Sequence, residues 1–244
     1  MRKSLRLYCS SKLKNKFIMS IAENIKHYQS LLPPQTRLVA VSKTKPVSDL
    51  QQAYDAGQRI FGENKAQEMR DKCAALPKDI EWHFIGHLQI NKVKYVVPIA
   101  RLIHSVDSLR LLSEINRLAI RHEKVVNCLL QVKISYEETK YGFDDEDLEA
   151  LLESEEFKML ENVRICGLMG IGSVTDDLNQ TRKEFRHLSN LFKHIKAKYY
   201  EKEDSFCELS MGMSHDFQIA VEEGSTFVRI GSSIFGLRDY GTKA

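Results

Sequence analysis

Eight short apolar runs, each followed by a stretch whose apolar residues recur at helical spacing, limit what this chain can fold into. The runs are Leu38–Lys43, Ile60–Asn64, Trp82–Gly86, Leu102–Val106, Val126–Ile134, Arg164–Gly170, Phe206–Met211 and Phe227–Gly231. Each has the length of a strand buried on both faces. Between them the period shifts. Val47, Leu50 and Ala53 lead to Gly57, a natural helix stop; Ala66, Met69 and Cys73 follow the second run. Leu109, Leu112, Ile115 and Leu118 follow the fourth, and Leu178, Thr181, Phe185, Leu188, Phe192 and Ile195 form a long stripe after the sixth. Ser20 and Glu23 make a capping box for a first helix whose apolar face is Ile21, Ile25, Tyr28 and Leu32. Eight strand–helix repeats in about 220 residues match an α/β fold of the (β/α)8 TIM-barrel type. The competing fold is an open doubly wound sheet. No G-x-G-x-x-G follows the first run, so a dinucleotide site has no support.

The 244 residues divide at residue 18. Residues 1–18 hold six Lys/Arg and no acid, and setting them aside turns the formal charge from +3 to −3. The body, residues 19–244, reads as one mildly acidic domain, which argues against nucleic acid as the main partner. The leader lacks the apolar core of a secretory signal. It reads as a disordered extension, with Met19 as a start site; a mitochondrial-type leader is the alternative. No run of about 18 apolar residues is present to span a membrane. Five scattered cysteines without C-x-x-C spacing fit a reducing, cytoplasmic setting, with Cys128, Cys166 and Cys207 read as buried thiols. The acidic stretch 144–156 reads as a solvated helix face.

In a barrel, function sits at the C-terminal ends of the strands. Those ends carry Lys43, then "FGEN" with Asn64, "HFIGHLQINK", His104 with Ser105, Lys133, "GLMGIG", "LSMGMS" and "VRIGSSIFG". The last two resemble a phosphate cradle: small residues permit close backbone approach, and Ser210, Ser214, Ser232 and Ser233 offer hydroxyl donors. A lysine beside such a cradle can lose its proton and attack an aldehyde, forming a Schiff base. Pyridoxal 5'-phosphate carries both aldehyde and phosphate, and Arg229 stands where a partner for its ring nitrogen is needed.

In this order, "AVSKTKP", "FGEN", "WHFIGHLQINK", "LSMGMS" and "VRIGSSIFG" resemble the pyridoxal phosphate homeostasis proteins, single-domain relatives of the alanine racemase N-terminal barrel. The similarity runs from about Ile21 to Tyr240. It implies a barrel that carries the cofactor on Lys43 and helps balance intracellular vitamin B6. It also implies that Ser214, Gly231 and Ser232 hold the phosphate and Arg229 faces the ring nitrogen. Asn64 would lie near the ring, and Met211 and Met213 would line the pocket.

Other candidates are weaker. His83 and His87 stand four apart but need not converge on a metal. His104 and His215 could assist at the mouth or serve as structural hydrogen-bonding groups. Lys140 could be a second amine or an ordinary surface lysine. Two functions remain: a carrier or regulator that passes the cofactor to apo-enzymes, or an amino-acid racemase-like enzyme. Racemisation needs two acid/base groups flanking the cofactor. The related racemases draw one from a second domain, whereas only about thirteen residues follow the eighth run here. An arginine at the ring nitrogen also discourages ring protonation. Both features favour the carrier, as a monomer or weak dimer.

Overall fold

The computed structural model describes residues 19–135 and 141–236. Eight parallel strands close into a barrel in sequence order: β1 Arg37–Val41, β2 Ile60–Glu63, β3 Glu81–Phe84, β4 Leu102–Val106, β5 Val126–Val132, β6 Val163–Gly170, β7 Glu208–Ser210 and β8 Phe227–Ile230. The helices are α1 Ile21–Leu31, α2 Val47–Asp55, α3 Ala66–Ala75, α4 Val93–Val96, α5 Leu109–Arg121, α6 Asp145–Glu153, α7 Glu155–Lys158, α8 Leu178–Tyr199, α9 Phe217–Glu222 and α10 Ser232–Phe235. The barrel reading therefore holds, and the open sheet does not.

Local signals act as the sequence suggests. The Ser20–Glu23 box closes both ways, with Glu23 N–H donating to Ser20 Oγ at 3.2 Å and Ser20 N–H to Glu23 Oε2 at 2.7 Å. Gly57 sits at φ +100°, where its N–H reaches Tyr54 O and the N–H of Gln58 reaches Ala53 O. That pair of bonds is a Schellman stop, which favours glycine at this position. The acidic stretch forms α6 and α7 and buries Leu148, Leu151 and Leu152 behind its charges. Among the described residues no helix is long and apolar enough to cross a membrane.

Strand parity sorts the side chains. Outward-facing residues such as Leu38, Ala40, Val228 and Ile230 join the large core beneath the helices. Inward-facing Val39, Leu102, Leu129, Met169 and Phe227 plug the lower barrel. Fully burying one such aliphatic side chain contributes about 1.5–3 kcal/mol. At the β1–β8 seam Val39 lies in register with Arg229, so the next inward positions, Val41 and Gly231, rise together to the mouth. The seam is braced from outside, where Asn24 Nδ2 of α1 donates to Ile234 O of α10 at 3.0 Å.

Two cysteine expectations separate. Cys128 and Cys166 are buried, and burial raises both thiols, Cys166 to about 11. Cys207 is exposed, contrary to its apolar surroundings in sequence: β7 begins only at Glu208, which leaves Cys207 at the strand entrance. Residues 1–18, with the leader and Cys9, lie outside the described residues, as does Lys140.

Candidate cofactor-binding site

A cleft of about 270 Å³ opens at the C-terminal mouth of the barrel, near the small end of the usual range for ligand pockets. It brings together Lys43, Asn64, Met213, Ser214, Arg229, Gly231 and Ser232. Val41, Ile85 and Ile171 supply an apolar floor that sequence reasoning had not singled out. Met211 is not part of this lining. It follows inward-facing Ser210, so strand alternation turns it outward, and it is fully buried in the core beneath the helices.

Lys43 stands two residues beyond the end of β1, in the turn Ser42–Lys45, with the N–H of Lys45 donating to Ser42 O at 3.0 Å. It is half-buried at the cleft wall. Asn64 follows β2 and presents a buried Oδ1 that has no hydrogen-bond partner in the described structure. Gly86 makes that placement possible: a Cβ there would lie 2.5 Å from Asn64 O and 2.7 Å from its Cα.

Small-residue loops after β7 and β8 form one wall. Gly231 presses against β1, where a Cβ would come within 3.0 Å of Val41 O. The internal bonds of α10 run from the N–H groups of Ile234 and Phe235 to Gly231 O. The N–H groups of Ser232 and Ser233 come before these, at the start of the turn, where backbone donors suit an anion. Opposite, Asp216 Oδ1 accepts from Met213 N–H and fixes the Ser214 loop.

Arg229 lies below this wall, fully inside the barrel. Its guanidinium donates to Ser210 Oγ at 2.7 Å and to Gly170 O at 2.9 Å. Two of its five N–H groups are thereby used, which leaves donors for a ligand in the cleft. Burial lowers it to about 10, with Asp216 acting the other way, so it stays a cation at neutral pH. Behind Ser210 lie two histidines: Ser210 Oγ is 2.9 Å from His104 Nδ1, and His104 Nε2 is 2.9 Å from His83 Nδ1. Both rings are buried, and burial drives both pKa values down, His83 to about 3.

His104 is thus a structural group inside the barrel, not a group at its mouth. His83 and His87 do not converge; His87 stacks on Tyr141 at 3.9 Å and meets Asp107. His215 lines the cleft. No group of three or more metal-ligating side chains occurs among the described residues. Taken together, a half-buried amine, a buried guanidinium, an orphaned amide oxygen and two serine–glycine loops fit a small planar aldehyde bearing a phosphate.

A closed parallel barrel with a lysine after its first strand, an arginine on its eighth and small-residue loops after its last two defines a class of (β/α)8 barrel with a composite site at its mouth. The chain belongs to the alanine racemase N-terminal domain family, whose model matches residues 18–239, and within it to the pyridoxal phosphate homeostasis proteins. It is 42% identical over 205 residues to the pyridoxal phosphate homeostasis protein of Aquifex aeolicus, spanning 84% of this chain and 88% of that one. Its human counterpart is 43% identical over 220 residues, spanning 86% and 79%. PipY of Synechococcus elongatus superposes with a TM-score of 0.83 at 38% identity without PLP, and 0.80 at 37% with PLP bound. Each comparison covers 89% of this chain and 100% of PipY.

Proposed function

We propose that this protein binds pyridoxal 5'-phosphate in the barrel mouth, holds it as a Schiff base on Lys43, and serves intracellular vitamin B6 balance as a carrier or regulator. One observation supports this most: a single cleft is lined by an amine, a buried arginine and two small-residue loops. Bound there, the cofactor would supply an aldehyde with which the Lys43 amine would condense, with loss of water. The protein's own groups divide the remaining work. Ser214, Gly231 and Ser232 receive the phosphate, and Asn64 and Met213 border the ring.

Arg229 is the basis for preferring a carrier. A guanidinium donates a hydrogen bond without giving up its proton, so the ring nitrogen it faces stays neutral. A neutral ring is a weak electron sink, which disfavours Cα chemistry. Apo-enzymes that need the cofactor are the natural recipients.

Borohydride reduction of the loaded protein followed by peptide mapping tests the attachment. The adduct should fall on the Lys43 peptide, and Lys43→Ala should lose it while keeping the fold. An adduct mapped only to Lys45 or Lys140 would overturn the assignment. Loaded protein with L-alanine in deuterated water tests the carrier role. Transfer of cofactor to an apo-enzyme without Cα exchange is expected; rapid Lys43-dependent exchange with appearance of the D-isomer would make the protein an enzyme.

A further inference from the structure

The turn that carries Lys43 is strained, and a buried ion cluster holds it from behind. Lys43 and Thr44 are the central residues of the Ser42–Lys45 turn, and Thr44 has φ +65°. A left-handed residue at that position is usually glycine or asparagine. A β-branched residue there is an outlier that persists only where its surroundings over-determine it.

Helix α3 supplies those surroundings. Lys72 Nζ donates to Ser42 O at 2.8 Å, to Glu63 Oε1 at 2.7 Å and to Glu68 Oε2 at 3.3 Å. Glu68 Oε2 accepts the N–H of Thr44 at 2.8 Å. Ser42 Oγ donates to Glu63 Oε1 at 2.6 Å, closing the cluster. The peptide group before Lys43 is therefore held through its carbonyl, and the one after it through its N–H. Together these contacts fix the backbone of Lys43 from both sides.

The composition of the cluster argues that it serves this purpose. The side chain of Glu63 is 0% exposed and that of Lys72 8%. A buried ion pair is commonly no more stabilising than apolar residues of the same size. Glu63 Oε2 has no hydrogen-bond partner in the described structure, which adds to the cost. What apolar residues could not supply here is a second donor for Ser42 O, beside the Lys45 N–H, and an acceptor for Thr44 N–H.

We propose that Lys72, Glu63 and Glu68 form a clamp that positions Lys43 by holding this strained turn, and that the clamp sets how long the protein retains its cofactor. This rests on Lys43 being the attachment point. The three residues are positioning residues.

The test uses the full chain loaded with pyridoxal 5'-phosphate. Glu68→Ala removes the acceptor of Thr44 without uncovering a buried charge, and Lys72→Met removes the hub. Each is made alone and combined with Thr44→Gly, which adopts positive φ without help. Cofactor release is followed by dialysis, the borohydride adduct is mapped, and urea melts confirm folding. Glu68→Ala should release cofactor about tenfold faster, the factor expected when a positive-φ residue loses its restraint. Adding Thr44→Gly should bring release back to within about twofold of the parent. A substitution that merely weakened the fold would gain nothing from that glycine. Folded Glu68→Ala and Lys72→Met proteins that release at the parent rate, with the adduct on Lys43, would overturn the clamp alone. So would failure of the glycine to restore retention in a folded protein. An adduct on another lysine in the parent would overturn the attachment reading, and the clamp with it.

Discussion

The guanidinium of Arg229 donates to Ser210 Oγ at 2.7 Å, and that one bond sets the direction of a chain running across the barrel. Arginine has no acceptor, so the serine oxygen receives there, and the buried Ser210 proton is satisfied by going to His104 Nδ1. His104 is then protonated only on Nε2 and donates to His83 Nδ1. Both imidazoles are held neutral, in agreement with their lowered pKa values.

Ser210→Ala should break this chain at its hinge. Arg229 loses one acceptor and His104 Nδ1 loses its donor, both in a buried setting. The expected loss is about 1–3 kcal/mol of stability, read from urea denaturation. Weaker binding should accompany it, because Arg229 is left tethered only to Gly170. A variant as stable as the parent would show that the chain carries no energy.

Acid should expose the histidines. Each has a folded-state pKa below its unfolded value of about 6.5, so the unfolded state takes up protons first as pH falls. The stability they contribute is complete above about pH 6.5 and declines below it, by up to about 1.4 kcal/mol per pH unit for each ring. For His83 the decline continues to about pH 3. Glu63 acts in the opposite sense: burial raises its pKa, so the folded state binds its proton first and the curve flattens in acid. Urea melts from pH 7.5 to pH 4 should show this fall, and His83→Phe should make it shallower.

Arg229 and the serines should separate by readout. Arg229→Ala should weaken cofactor binding by about 1.5–3 kcal/mol, the range for a charged hydrogen bond, and shift the visible spectrum. Ser214→Ala and Ser232→Ala should each weaken retention with little spectral change, since the proposed placement sets them against the phosphate and not the ring. Equilibrium dialysis with absorbance measures both effects. A spectral shift from the serines and none from the arginine would reverse the orientation.

Gly86→Ala should damage the site from outside it. The added methyl meets the backbone of Asn64 at 2.5 Å, and backbone cannot rotate away as a side-chain tip can. Overpacking of this kind costs about 1–3 kcal/mol. Asn64 should be displaced from the cleft, so affinity should fall along with melting temperature. Unchanged affinity in a folded variant would remove Asn64 from the site.

Much of this architecture can be read from the chain, and the exceptions have physical reasons. The eight strands were visible because buried parallel strands are nearly continuous apolar runs. Their ends were less so: β1 stops at Val41 and β8 at Ile230, which leaves Lys43 and Gly231 in the turns beyond. Met211, which the family resemblance assigns to the pocket, follows inward-facing Ser210, and that alternation turns it into the core instead. The link from Arg229 to His83 joins four strands, and no local spacing reports it. Glu68 and Lys72 are visible as an i,i+4 pair on one helix face. Their partnership with Glu63 and the peptides flanking Lys43 exists only after α3 docks.

The meeting of β1 with β8 has a consequence for how the protein is made. Lys43 leaves the ribosome well before Arg229, Gly231 and Ser232, which lie about 190 residues further along the chain. The two groups become neighbours only when the last strand closes the ring, in the register that sets Val39 beside Arg229. A growing chain can display the amine but not the wall proposed to hold the phosphate. On the proposed attachment, cofactor capture reports a finished barrel, and stalled or truncated products remain empty.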